Sequence, residues 1–243
     1  MLRSKRSRLI AAPIAAVALS LTVAGYQASA GESGSGSEKA DTSGAACVAD
    51  ATTLHADLDR DGRTDKIANP GHTGTKMTIQ WGQGGGSYGP KQSVSKLLGA
   101  KEGEVATAAV GDFDNDNTLD MVVNVVEPSG VDDPSTARVA EYRPGPLKQT
   151  DLGSDDARHS DIGEHGEVQA LGIANYGDDD YPDLAVLNNA GDGQLDRDVR
   201  LSDKAGLGDF DREANEKYGE TGTTPEPPAM PTDGWKHFFK PCA

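Results

Sequence analysis

Three acidic stretches carry oxygen side chains at regular intervals: Asp57-Leu-Asp-Arg-Asp-Gly-Arg-Thr-Asp65, Asp112-Phe-Asp-Asn-Asp-Asn-Thr-Leu-Asp120 and Asn175-Tyr-Gly-Asp-Asp-Asp-Tyr-Pro-Asp183. Each has such a side chain at its first, fifth and ninth positions, and the first two have one at the third. Carboxylates at alternate positions of a tight turn point inward, and a backbone carbonyl at the seventh position adds another oxygen. That is how a chain encircles a hard cation, and calcium accepts about six to eight such oxygens at roughly 2.3–2.6 Å. The candidate ligands in the first loop are Asp57, Asp59, Asp61, the Arg63 carbonyl and Asp65. In the second they are Asp112, Asp114, Asp116, the Thr118 carbonyl and Asp120. The third offers Asn175, Asp179, the Tyr181 carbonyl and Asp183, with Gly177 at its third position, so that water or Asp178 is left to complete the set. Two to three calcium ions are expected. Magnesium fits less well because it tends to retain water, whereas an all-protein oxygen cage is adaptable.

The competing reading is a solvated turn, which Asp, Asn and Gly favour without any metal. Three copies weigh against it, since crowded carboxylates repel one another unless a cation compensates. A helix-loop-helix calcium site needs a bidentate Glu at the twelfth position. Here those positions hold Ala68, Val123 and Val186, which points to a β-hairpin version closed by the ninth-position Asp. Gly62 permits the sharp turn of the first loop, and Asn117 tolerates positive φ at the same place in the second. A fourth stretch, Asp209-Phe-Asp-Arg-Glu213, reaches Lys217 at its ninth position and reads as a decayed copy or an ordinary acidic turn.

The elements that must hold these loops are strands. A small residue precedes each loop (Ala56, Gly111, Ala174), and Lys66-Ile-Ala, Met121-Val-Val and Leu184-Ala-Val follow; β-branched apolar runs of this kind favour strands. The repetition reaches upstream, with Glu104-Val105 and Glu167-Val168 at the same offset before the second and third loops. Loops start at 57, 112 and 175. A period of about sixty residues, with further strands expected at 76–81 and 137–142, matches one four-stranded blade of a β-propeller. Helical spacing is nearly absent, so the expected class is all-β and propeller-like, with three to four blades.

The stretches ADLDRDGRTDKIA, GDFDNDNTLDMVV and ANYGDDDYPDLAVLNN resemble the FG-GAP/VCBS repeats of integrin-α-like β-propellers, and Trp81-Gly-Gln-Gly-Gly-Gly-Ser-Tyr88-Gly resembles the glycine-rich turn that often follows in a blade. The resemblance covers roughly residues 50 to 200. It implies calcium held in blade hairpins for rigidity and binding roles in adhesion or in carbohydrate and protein recognition. Such propellers commonly have seven blades, so a folded unit over 47–243 is expected to be a small closed ring, an incomplete ring, or half of an oligomer.

Residues 1–30 place Arg3, Lys5, Arg6 and Arg8 ahead of an apolar run and end in Ala28-Ser29-Ala30, the order of a secretory signal peptide. The run is too short for a membrane span, which needs about 20 apolar residues, and Tyr26 stands where a lipid-bearing cysteine would be needed. The product is therefore expected to be secreted and free of the membrane. Residues 31–46 read as a flexible Gly/Ser-rich linker, and the Pro/Thr-rich segment 221–232 as extended and irregular, leading to Trp235, Phe238 and Phe239, which dock the tail. Beyond the signal, 19 basic residues face 39 acidic ones, a formal charge of −20 that excludes nucleic acid as a partner. In an exported chain Cys47 and Cys242 are expected to form a disulfide joining the two ends of the domain; free thiols or intermolecular bonds are the alternatives.

No catalytic residues emerge. His55, His72, His159, His165 and His237 are scattered without metal-ligand spacing. His159-Ser160-Asp161 places triad residue types side by side, but triads are assembled in space rather than by adjacency. No carboxylate pair suited to glycoside hydrolysis stands apart from the calcium ligands. The expected function is a non-enzymatic calcium-binding module for an extracellular glycan or protein, able to form homo-oligomers. The alternative is a polysaccharide hydrolase or lyase on the same scaffold.

Overall fold

The computed structural model describes residues 45–129 and 134–243, so the signal peptide expected at 1–30 and all but the last two residues of the linker lie outside the described residues. The first blade contains β1 (Cys47–Asp50), β2 (Thr53–Ala56), β3 (Asp65–Ala68) and β4 (Thr78–Gln80), a small hairpin of β5 (Gly82–Gly84) and β6 (Ser87–Tyr88), and β7 (Gln92–Ser93) leading into α1 (Val94–Leu97). The second contains β8 (Val105–Gly111), β9 (Asp120–Val126), β10 (Val139–Arg143) and β11 (Arg158–His159). The third has β12 (Glu167–Ala174), β13 (Asp183–Gly191) and β14 (Gln194–Arg200), the hairpin β15 (Ser202–Asp203) and β16 (Gly206–Leu207), α2 (Arg212–Tyr218), and β17 (Glu220–Thr223) on its outer edge. α3 (Gly234–Phe238) and β18 (Lys240–Pro241) complete the chain.

The blades are sheets ordered β18-β1-β2-β3-β4-β7, β11-β10-β9-β8 and β12-β13-β14-β17, antiparallel except for the β18–β1 pair, and they do not close into a barrel. The all-β, propeller-like expectation holds, with three blades among the described residues. Where a fourth would begin, the chain forms the β15–β16 hairpin and α2 instead. Asp211 caps that helix, its side chain accepting from the Ala214 amide at 2.7 Å, so the fourth acidic stretch is an ordinary helix start. The three helices among the described residues span at most seven residues, too few for helical periodicity to register in the sequence. None of them is long and apolar enough to cross a membrane.

Apolar alternation explains the packing. Leu54, Ile67, Ile79, Val110, Met121, Val123, Leu171, Leu184 and Val186 are fully buried, and each such side chain contributes roughly 1.5–3 kcal/mol when removed from water. β9 is buried along its whole length, flanked in the sheet by β8 and β10 and approached by β12 of the third blade. The 69–75 turn of the first blade crosses toward the inner strands of the other two: the Ala108 amide donates to the Gly74 carbonyl at 3.2 Å and the Leu171 amide to the Thr73 carbonyl at 3.0 Å. Gly74 has φ +75°, and a Cβ there would meet the Ala108 carbonyl oxygen, so only glycine fits.

The ends meet in the first blade. β1 runs antiparallel to β2 and parallel to β18, and Cys47 and Cys242 form a disulfide across a separation of 195 residues. The tail docks as its aromatics predict: Trp235 is buried, and its indole N–H donates to the Val110 carbonyl at 2.8 Å, with Phe238 and Phe239 packed against the core. One expectation needs correction. Residues 221–223, read as the start of an irregular segment, belong to β17 and pair with β14. They precede the first proline of the segment, Pro225, and so keep the backbone N–H groups a ladder requires.

Candidate metal centres

Each acidic loop is the turn of an inner hairpin: β2–β3, β8–β9 and β12–β13. The registers agree, with the residue before each loop opposite its ninth position in Ala56–Asp65, Gly111–Asp120 and Ala174–Asp183. Within this frame the same hydrogen bonds recur. The fifth-position amide donates to the first-position side chain in all three, Asp61 to Asp57 at 3.1 Å, Asp116 to Asp112 at 2.9 Å and Asp179 to Asn175 at 3.3 Å. The seventh-position amide donates to the fifth-position carboxylate: Arg63 to Asp61 at 2.8 Å, Thr118 to Asp116 at 2.6 Å and Tyr181 to Asp179 at 2.9 Å. The fourth position is left-handed throughout, with φ of 58° at Arg60, 58° at Asn115 and 54° at Asp178. The sixth is left-handed at Gly62 and Asn117, as their residue types anticipate, and the third loop departs there.

The ninth-position aspartates are the best buried members, each about 1% exposed, and both oxygens of each accept backbone N–H bonds. One donor is always the second residue of the loop: Leu58 at 2.9 Å, Phe113 at 3.0 Å and Tyr176 at 2.6 Å. A second lies further along the blade: Gly82 at 2.8 Å, Gly145 at 2.9 Å and Ser202 at 3.0 Å. Asp120 also accepts from the Tyr142 hydroxyl at 2.8 Å, and Asp183 from the Gly177 amide at 2.9 Å. Besides any ligand role, these carboxylates brace each hairpin to the next part of its blade. Gly82 and Gly145 are required for it, since a Cβ at either would lie 2.5 Å from a carbonyl oxygen, that of Thr64 or Leu119.

Burial drives the electrostatics. It pushes Asp120 up to about 7, with the Gly145 amide and the Tyr142 hydroxyl pulling the other way, and it pushes Asp65 and Asp112 up to about 6. Asp57 and Asp183 are raised, again by burial first, with neighbouring loop carboxylates adding to it. A bound divalent cation would remove this penalty.

The donor chemistry fits a hard cation in the first two loops. Asp57, Asp59 and Asp61 offer oxygens within 4.8 Å of one another, and so do Asp112, Asp114 and Asp120. The amide bonds to these carboxylates leave lone pairs free, because an ionised carboxylate has about four acceptor sites. Asp65 and Asp116 stand outside the two triads, while the third loop forms no acidic triad among the described residues.

Several residues that sequence reasoning missed join loop one to the second blade. The Arg60 guanidinium donates to the Thr118 hydroxyl, the Gln149 side-chain amide donates to Asp59, and the Leu147 amide donates to the Leu58 carbonyl. Between the first two loops lies a cleft of about 670 Å³ whose wall includes Leu119, Phe238, Phe239, Arg60 and Lys240. The triad residue types do not converge: Asp161 pairs with buried Arg200 at 2.7 Å and His159 with Glu164 at 3.2 Å, while Ser160 is buried.

Comparison with known proteins agrees with this repetition. Residues 57–123 match the family model described as FG-GAP-like repeat. No curated protein and no solved structure matches the chain. The matched segment holds both acidic triads, so this part of the chain is similar to an FG-GAP-like repeat.

Proposed function

We propose that this is a secreted, non-enzymatic binding or adhesion module whose hairpins are stiffened by two to three calcium ions and whose ligand is an extracellular glycan or protein. The observation that carries the reading is the shared hydrogen-bond scheme of the three hairpins, which gathers carboxylates against the cost of burying their charge. Calcium offsets that cost and fixes the two loops that border the cleft. The cleft lies within the range of about 300–1,000 Å³ usual for ligand sites. Phe238 and Phe239 supply an apolar wall for a sugar face or a protein side chain, and Arg60 and Lys240 supply cations on an otherwise strongly acidic chain.

The test is binding of the purified chain to a panel of neutral and acidic polysaccharides and matrix proteins, in calcium and in EDTA. Calcium-dependent retention that is lost in Phe239→Ala, with no substrate turnover, supports the reading. Turnover of a polysaccharide would replace it with a hydrolase or lyase. Molar mass in solution, measured alongside, tells whether the three blades act alone or in a homo-oligomer.

A further inference from the structure

Away from the acidic loops, Cys47, Cys242 and His55 come together on three neighbouring strands. Cys47 on β1 is directly opposite His55 on β2, which places both side chains on one face of the sheet. β18 runs along the other side of β1 and leads into Cys242, whose amide donates to the Val48 carbonyl at 3.0 Å. One ligand atom from each, two sulfurs and an imidazole nitrogen, lie within 4.8 Å of one another. All three residues are half-buried, so small reagents can reach them.

Two thiolates and an imidazole are a donor set for zinc, which binds sulfur at about 2.3 Å and nitrogen at about 2.0–2.1 Å in a tetrahedron. Ligand atoms in such a site stand roughly 3.5–3.8 Å apart, so the two sulfurs, bonded to each other in the disulfide, must move apart on reduction. The Tyr88 ring, 5.9 Å away, packs beside the His55 ring. Calcium would not compete, since it takes oxygen ligands.

We propose that reduction of the Cys47–Cys242 disulfide turns the staple between the chain ends into a two-cysteine, one-histidine site for zinc or a similar borderline-soft divalent ion, with water as the fourth ligand. The reductant is a dithiol. It supplies two electrons and two protons, becomes a disulfide, and leaves two thiols on the protein. The ion then binds two thiolates and the neutral imidazole, and the two thiol protons pass to solvent. The ends stay tied in both redox states, by a covalent bond in one and by coordinate bonds in the other.

The test uses the full chain in excess calcium, reduced with a phosphine, which leaves as its oxide after taking oxygen from water. The chain is then titrated with cobalt(II) while circular dichroism follows the fold. The expected result is one cobalt per chain with a thiolate-to-cobalt charge-transfer band and the d–d bands of a tetrahedral ion. Zinc should displace it, and the oxidised chain should show no such bands. His55→Ala should weaken binding by more than about tenfold and change the d–d spectrum, and Cys47→Ala with Cys242→Ala should abolish the charge-transfer band. The proposal is overturned if the reduced chain gives no thiolate band at stoichiometric cobalt, if His55→Ala binds with the same affinity and spectrum, or if the reduced chain unfolds and zinc does not restore it.

Discussion

Replacing Asp120 by Asn should change its effect on stability from unfavourable to neutral or favourable as pH rises, provided divalent ions are absent. Asp120 accepts from two amides and a phenol, and burial raises its pKa to about 7. A carboxyl whose folded pKa lies above its unfolded value near 3.9 binds its proton more tightly when folded. Its contribution is therefore fully present below about pH 4 and is lost as pH climbs through 7. A rise from about 3.9 to about 7 corresponds to roughly 4 kcal/mol. Asn carries no charge, but its amide group faces donors and leaves one N–H or O–H unsatisfied, at about 1–3 kcal/mol. In EDTA at pH 4 the wild type should thus exceed Asp120→Asn by about 1–3 kcal/mol, and at pH 8 the variant should equal or exceed it. Saturating calcium at pH 8 should return the advantage to the wild type. Urea unfolding of both proteins at the two pH values measures this. A difference between them that stays constant with pH would refute the reasoning.

Three further outcomes follow from the same geometry. Tyr142→Phe removes a hydrogen bond to a buried carboxylate and should cost about 1.5–3 kcal/mol at pH 8 in urea unfolding. Gly62→Ala meets nothing within 4 Å, so its cost isolates the left-handed backbone, about 1–2 kcal/mol in the same assay. Reducing the disulfide in a metal-free buffer frees a closure of 195 residues and should lower stability by about 5 kcal/mol in the chain-entropy picture, seen as a drop in Tm.

The loops and their flanking strands were legible because the alternation of Asp with turn residues and the β-branched runs after them are local signals. Asp57, Asp59 and Asp61 cluster as their spacing implies, and so do Asp112 and Asp114. The bracing role of Asp65, Asp120 and Asp183 was not legible, because its partners lie 17, 25 and 19 residues further on and are backbone amides, which leave no trace in residue type. Gly82 offered the one hint, as part of a glycine-rich turn whose reason only the Thr64 carbonyl reveals. The left-handed fourth position was hidden by Arg60, a residue type that does not advertise positive φ. Arg60 reaches Thr118 across 58 residues, and such contacts between blades depend on how the sheets pack rather than on any spacing along the chain.

The central claim is that hard divalent ions satisfy the carboxylates of these hairpins and thereby stabilise the fold. A calorimetric calcium titration of the EDTA-stripped full chain, paired with thermal melts at each endpoint, tests it most directly. The account predicts uptake of two to three ions per chain and a clear rise in Tm that the double variant Asp57→Asn, Asp59→Asn diminishes. An absence of uptake, with the same Tm in EDTA and in calcium, would contradict it.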